Sequence, residues 1–193
     1  MRTLIFASNN KHKADEIRAL LGDQLSIITL QEAGIDKDIP EPFDTLEENA
    51  GTKSKTIYQW KGMDCFGEDT GLEVYALNMQ PGVKSARYAG EYRSPEANME
   101  KLLKEMEGVK DRRARFRTVI SLLIDGKENL FEGICEGQII QEKKGTQGFG
   151  YDPVFIPIGS DKSFAEMTME EKGRYSHRGQ AVQKLVAFLS SLA

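Results

Sequence analysis

The sequence predicts an α/β protein, a long mixed β-sheet flanked by helices. Three observations carry this. The chain opens strand–loop–helix–strand within its first 30 residues, the signature of an α/β layer fold. Capped helix starts recur between later apolar runs. A DG pair at 125–126 joins two long β-rich segments, a strong hairpin signal. With 193 residues, the chain suits one domain over 1–193 and can bury an ample core.

Residues 2–7, "RTLIFA", are expected to form a short apolar strand. A helix should follow from about Lys11 to Leu21, with Ala14, Ile17, Leu20 and Leu21 on one face. Asn10 is its expected N-cap and Gly22 its stop. Residues 25–30 give a second strand, and 36–44, "DKDIPEPFD", a proline-broken loop. Thr45 opens a helix with "TLEE", in which Thr45 caps the Glu48 amide and Glu48 returns to the Thr45 amide. Residues 63–67 and 72–77 are expected to be extended. Ser94 and Pro95 start a helix that runs to Met106 and stops at Gly108. Strands at 114–124 and 128–140 flank the DG turn. A second capping box begins at Thr168, and 178–192 closes the chain as an amphipathic helix.

Composition narrows the function. Apolar residues make up 39% and charged residues 29%, an ordinary globular balance. No apolar run approaches the ~20 residues of a membrane span, and "MRTLIFASNNKHK" is not expected to be a signal peptide. A cytoplasmic protein without a membrane partner is the expectation. The two cysteines, Cys65 and Cys135, form no CxxC pair, and with only two histidines a zinc site is not expected. The net charge of −4 argues against nucleic acid as a partner. An anionic ligand would need a local basic cluster or a metal ion.

The helix after Thr45 should bury Leu46, Ala50, residue 53, Ile57 and Trp60, spaced 4, 3, 4, 3. Residue 53 is lysine. A stem packed at the helix edge and a cleft lysine facing a phosphate both satisfy that pattern, because an ammonium desolvated alone costs several kcal/mol. "SNNKHK" (8–13) lies between strand and helix, where α/β sheets collect ligands. Lys11 and Lys13 at a helix N-terminus oppose its dipole, and a bound anion would repair the conflict. Glu41, Glu68 and Asp69 are oxygen ligands of the kind Mg²⁺ takes; a solvated acidic turn is the alternative. "EEKGRYSHRG" (170–179) gathers Lys172, Arg174, His177 and Arg178. "AGTKS" lacks the upstream glycine of a P-loop, and "GTQGFG" has its glycines at the wrong spacing for a dinucleotide fingerprint.

Taken in order, "SNNKHK", "TLEENAGTKS", "EDTGL", "PGVKSARYAG", "GFGYDP" and "EEKGRYSHRG" resemble the inosine triphosphate pyrophosphatase family, often called Ham1-like. The resemblance spans nearly the whole chain. It implies a mixed sheet with a nucleotide cleft between two lobes, usually in a homodimer. It also implies Mg²⁺-dependent cleavage of inosine and xanthosine triphosphates, ribo or deoxy, to monophosphate and pyrophosphate. The implied catalytic residues are Asp69, Lys53, Lys13 and Asn10, and the implied metal ligands are Glu41, Asp69 and Glu68. The implied triphosphate loop is Ser8, Asn9, Asn10, Lys11, His12 and Lys13. Thr70, Arg87, Phe149, Gly150, Tyr151, Asp152, Lys172, His177 and Arg178 complete the implied substrate contacts. The chain departs from the family pattern mildly at Ser8, where threonine is usual, at Asn9, where glycine is usual, and at Glu68 and Thr70, in place of Asp and Ser.

Two further readings stay open at this stage. A Maf-like pyrophosphatase would prefer other bases, and a nucleotide sensor would bind without hydrolysis. Lys172, His177 and Arg178 are mostly donors and should favour a 6-oxo purine over adenine. Phe149 or Tyr151 would stack on the base.

Overall fold

The computed structural model describes residues 3–192. Seven strands form one sheet in the order β2-β1-β3-β5-β6-β7, with β4 paired to β3. The strands are β1 (Thr3–Phe6), β2 (Ser26–Ile28), β3 (Cys65–Val74), β4 (Gln80–Gly82), β5 (Arg113–Ile124), β6 (Lys127–Ile139) and β7 (Phe155–Pro157). The helices are α1 (Lys11–Leu21), α2 (Leu46–Lys61), α3 (Pro95–Glu105), α4 (Met169–Tyr175) and α5 (His177–Ser191). β1 is parallel to β2 and β3, whereas β3–β4 and β6–β7 are antiparallel. The expected mixed sheet is present. Arg2, expected in the first strand, lies outside the described residues.

The chain divides into two compact units. The first holds residues 3–69, 118–133 and 178–192; the second holds 70–117 and 134–177. In the first, α1 buries Ala14, Ile17 and Leu21 among Leu4, Phe6, Phe66, Ile120, Leu122, Ala181 and Leu185. A smaller cluster around Ile5, Ile57, Cys65 and Leu123 takes the alternate strand residues and so lies on the other face of the sheet. The second unit has its own core, built on Leu72, Leu102, Phe116, Tyr151, Phe155 and Phe164.

Local signals act as the sequence implies. Asn10 accepts the Lys13 amide, Thr45 the Glu48 amide, and Ser94 the Ala97 amide. The Thr168 capping box is complete. At α2 the box closes differently: the Thr45 hydroxyl, not its amide, donates to Glu48 at 2.7 Å. Asp125 and Gly126 both have positive φ, 49° and 74°, as a two-residue hairpin turn of the right twist requires. Other expectations change: residues 75–77, expected to be extended, form a short 3₁₀ turn after β3 ends at Val74. β3 runs unbroken through residues 68–71; β1 pairs with it at 65–66 and β4 at 72–74, and β5 is its other neighbour in the sheet. Trp60 is 45% exposed rather than buried, with Lys37 Nζ 5.6 Å from its ring centre.

Gly67 lets α2 approach β3. A Cβ there would sit 2.3 Å from the Ala50 carbonyl oxygen and 2.7 Å from Lys53 Cβ. The blocking atoms include backbone, so relief requires prising the helix from the strand. Gly67→Ala is expected to destabilise by about 1–3 kcal/mol. Calorimetry should show a melting temperature lower by roughly 2–12 °C for a chain of this size.

Candidate active site

Position along α2 sets the centre of the first unit. Asn49, Ala50, Lys53 and Ile57 are buried together on one face, since residues four apart lie one above the other. Lys53 lies one turn beyond Asn49, and both reach Asp69 on β3. Lys53 Nζ is 3.5 Å from Asp69 Oδ1, and Asn49 Nδ2 donates to Oδ2 at 3.2 Å. Lys53 Nζ also donates to the Glu68 carbonyl at 2.8 Å and forms an ion pair with Glu41. The lysine is therefore buried and held by anions, not an edge stem with its head in water. Burial alone would depress its pKa, but Asp69 and then Glu41 outweigh burial and raise it. Asp69 is also shifted up from the ordinary carboxylate value: burial raises its pKa against the pull of Lys53 and Lys13.

A second knot lies alongside. Arg178, 1% exposed, donates from Nε and Nη2 to Glu68 Oε1 at 2.9 and 2.8 Å and pairs through Nη1 with Glu16. Thr118 donates to the same Glu68 oxygen at 2.7 Å, and Lys13 Nζ is 3.5 Å from Glu68 Oε2. Burial, aided by Lys53 and Arg178, pulls the Lys13 ammonium below its ordinary pKa, against the opposing charge of Glu68.

The loop before α1 is shaped by its own side chains. Ser8 Oγ accepts the Asn10 amide at 3.1 Å, and Asn10 caps α1. Asn9 Oδ1 accepts the Gln31 amide at 2.8 Å, so the residue standing where glycine is usual ties the loop to the segment after β2. Lys11 and His12 are exposed on the first turn, which contains no acidic residue.

In the second unit, Asp152 organises "GFGYDP". Its Oδ2 accepts the Phe149 amide at 2.9 Å and Lys172 Nζ at 2.6 Å. Gly148 has φ 73°, and a Cβ there would meet Asp152 Oδ2 at 2.1 Å, so glycine is required for this turn. Lys172 Nζ lies 4.9 Å from the Phe149 ring centre and 5.3 Å from that of Phe164. His177 stacks on Phe116 at 4.8 Å with an interplanar angle of 15°. Tyr151 is 5% exposed and donates its hydroxyl to the Ser85 carbonyl at 2.8 Å. Its ring belongs to the core, whereas Phe149 is only half-buried. Gly150 has φ 61° in the same turn. Thr70 on β3 and Arg87, ending a short 3₁₀ turn, are half-buried in this unit.

The structure thus gathers Lys13, Lys53, Glu41, Glu68 and Asp69 in the first unit. It keeps Phe149, Asp152, Lys172 and His177 in the second. Arg178 was expected to read the base beside Lys172, yet its donors are engaged by Glu16 and Glu68. Sequence reading missed Asn49, Glu16 and Thr118. Only Asn49 carried a signal, its i−4 spacing from Lys53 on the buried stripe. Glu16 meets Arg178 across 162 positions of chain, which no local pattern reports.

The first-unit cluster holds three cations (Lys13, Lys53, Arg178) and four carboxylates (Glu16, Glu41, Glu68, Asp69). Fully ionised, it carries one excess negative charge. Among the described residues, no three His, Cys, Asp or Glu side chains are arranged to hold a metal ion, and Glu68 is committed to Arg178, Thr118 and Lys13. The expected three-carboxylate set is therefore not assembled. Glu41 and Asp69, facing one ammonium, fit Mg²⁺, which takes one or two carboxylates and completes its shell with water and phosphate oxygens.

Mixed sheet and buried lysine–carboxylate cluster together define an α/β protein with an ionic site at the α2–β3 contact. The chain belongs to the Ham1 family, whose profile matches residues 4–188. It is 51% identical over 190 residues to a protein of Porphyromonas gingivalis named dITP/XTP pyrophosphatase, covering 98% of each chain. It is 50% identical over 188 residues to one of the same name from Flavobacterium johnsoniae, covering 97% of this chain and 98% of the relative. The Ham1 protein of Staphylococcus aureus superposes with a TM-score of 0.89 at 41% identity, over 99% of this chain and 100% of that one. The family resemblance and the α/β fold expected from sequence are borne out.

Proposed function

We propose that this protein hydrolyses triphosphates of deaminated purines (ITP, dITP and XTP) to the monophosphate and pyrophosphate. The observation that carries the reading is Asp69 held between Lys53 and Asn49 beside Glu41. It sits in a chain half identical to relatives named dITP/XTP pyrophosphatase. In this reading Asp69 orients or deprotonates the water that attacks the α-phosphorus. Lys13 and Lys53 offset charge developing on the departing pyrophosphate, and the Ser8–Lys13 loop takes phosphate oxygens through backbone amides. Glu41 and Asp69 would hold Mg²⁺, which supplies Lewis-acid polarisation of the phosphates when bound. Glu68 positions Lys13 and Arg178. Lys172 and His177 favour a base with an acceptor oxygen at C6. A cytoplasmic homodimer belongs to the same proposal. Among the described residues, no helix is long and apolar enough to cross a membrane.

Pyrophosphate release from ITP, XTP, GTP, ATP and dTTP, with and without Mg²⁺, tests the reading. Release from ITP and XTP well above GTP, lost on chelation, is expected. A dTTP preference would select the Maf-like alternative, and binding without release a sensor.

Phe149, the more exposed ring of "GFGYDP", is assigned the stacking face. Phe149→Ala should raise the KM for ITP about tenfold, on the order of 1.4 kcal/mol of ring contact. Tyr151→Phe, which removes only the hydroxyl bound to Ser85, should leave KM within about twofold and lower stability by roughly 1 kcal/mol. Steady-state kinetics and thermal melts of both variants check this.

A further inference from the structure

Asn49 contributes to the site in a way that Lys53 cannot. Its side chain makes three hydrogen bonds from a position 1% exposed. Oδ1 accepts the Phe43 amide at 3.0 Å, and Nδ2 donates to the Phe43 carbonyl at 3.0 Å and to Asp69 Oδ2 at 3.2 Å. The carboxylate can only accept from it, so the amide must turn its NH₂ toward Asp69, and that orientation also suits both backbone groups of Phe43. Phe43 follows Glu41 by two residues in the proline-broken loop. One turn of α2 therefore grips the same two partners twice. Lys53 grips Asp69 and Glu41 by charge, and Asn49 grips Asp69 and the Glu41 loop by neutral hydrogen bonds.

These two grips differ in what a substrate does to them. An ammonium assigned to the pyrophosphate must loosen its hold on Glu41 and Asp69 as it turns to the phosphates. Those carboxylates then repel one another, and the loop bearing Glu41 has no ionic tether to Lys53. The Asn49 bonds to backbone do not compete with an anion. We propose that Asn49 is a positioning residue: it locks the Glu41 loop to Asp69, so that the carboxylate pair keeps its spacing when Lys53 engages the triphosphate. The role rests on the phosphate chemistry proposed above, whereas the lock itself does not.

The lock is tested without substrate. Hydrogen exchange at the Phe43 amide should be strongly protected in the native protein and exchange at least tenfold faster in Asn49→Ala, with exchange in the strands of the first unit unchanged. Phe43→Ala keeps both backbone groups and should leave the lock and turnover within about twofold of the native protein. For the catalytic role, Asn49→Ala should lower kcat about 100-fold, the scale of a roughly 1 Å misplacement, with KM changed less than threefold. Its effect should vanish in a Glu41→Ala background, because a loop without its carboxylate has nothing left to position. Asn49→Asp, which sets a charge against Asp69, should be at least as impaired. Unchanged Phe43 exchange in Asn49→Ala would overturn the lock. Losses that multiply in the Glu41→Ala, Asn49→Ala double variant would overturn the positioning role. Absence of pyrophosphate release from every triphosphate by the native protein would instead count against the proposed reaction, leaving the exchange result to judge the lock.

Discussion

Asp69→Asn is expected to reduce kcat/KM for ITP by about 10²–10⁴-fold while making the metal-free protein more stable at neutral pH. Both outcomes follow from one placement. Asp69 is 6% exposed, and burial outweighs Lys53 and Lys13 in setting its pKa above the ordinary carboxylate range. A raised folded-state pKa means that the native protein binds the proton more tightly than the unfolded chain does. Stability contributed by the protonated form is then fully present below the unfolded pKa and is lost as pH rises through the folded one. Asparagine mimics the protonated acid at every pH, so it escapes that loss. In chelator-containing buffer the variant should melt above the native protein at pH 7, and the gap should close as pH falls through the usual carboxylate range. Near-normal turnover in Asp69→Asn would remove Asp69 from the reaction. A lower melting temperature at pH 7 would show that its ion pair with Lys53 outweighs its burial.

Arg178→Leu is expected to be the most destabilising change in the first unit. The guanidinium serves two buried carboxylates, Glu16 and Glu68, from a site 1% exposed. Those charges raise its pKa against the opposing effect of burial, so it stays ionised in the fold. Leucine fills much of the space but strands both anions. Removing one partner of a buried pair costs about 3–5 kcal/mol, or roughly 6–20 °C in melting temperature for a chain of this length. Charge rather than packing is the cause, so the deficit should shrink in acid, where the carboxylates can take up protons. Adding Glu68→Gln should restore part of it at neutral pH. Thermal melts of the single and double variants between pH 4 and pH 8 check this, and a deficit independent of pH would point to packing.

The α/β class, the capped helix starts at Asn10, Thr45, Ser94 and Thr168, and the DG hairpin were all legible in the sequence. Each is decided by neighbours within a few residues, where propensity and hydrogen-bond reach act directly. Lys53 stood out for a similar reason, as a charge on an apolar helical stripe. Its burial among carboxylates did not, because an edge lysine gives the same pattern. Tertiary contact decided that point when Gly67 brought β3 against α2 and put Asp69 in reach.

Likewise, "GFGYDP" named two aromatics but not which one stays available. Packing answered by drawing Tyr151 into the core and leaving Phe149 at its edge. The basic run at 172–178 looked like one cluster, and the fold divided it. Lys172 went to Asp152 and Arg178 to Glu16 and Glu68. By itself the sequence determined which residues could carry charge and where each helix begins. Only the tertiary structure decided which charges meet, because a buried ion takes whichever counter-ion the fold brings within about 3 Å, however far apart the two lie in the chain.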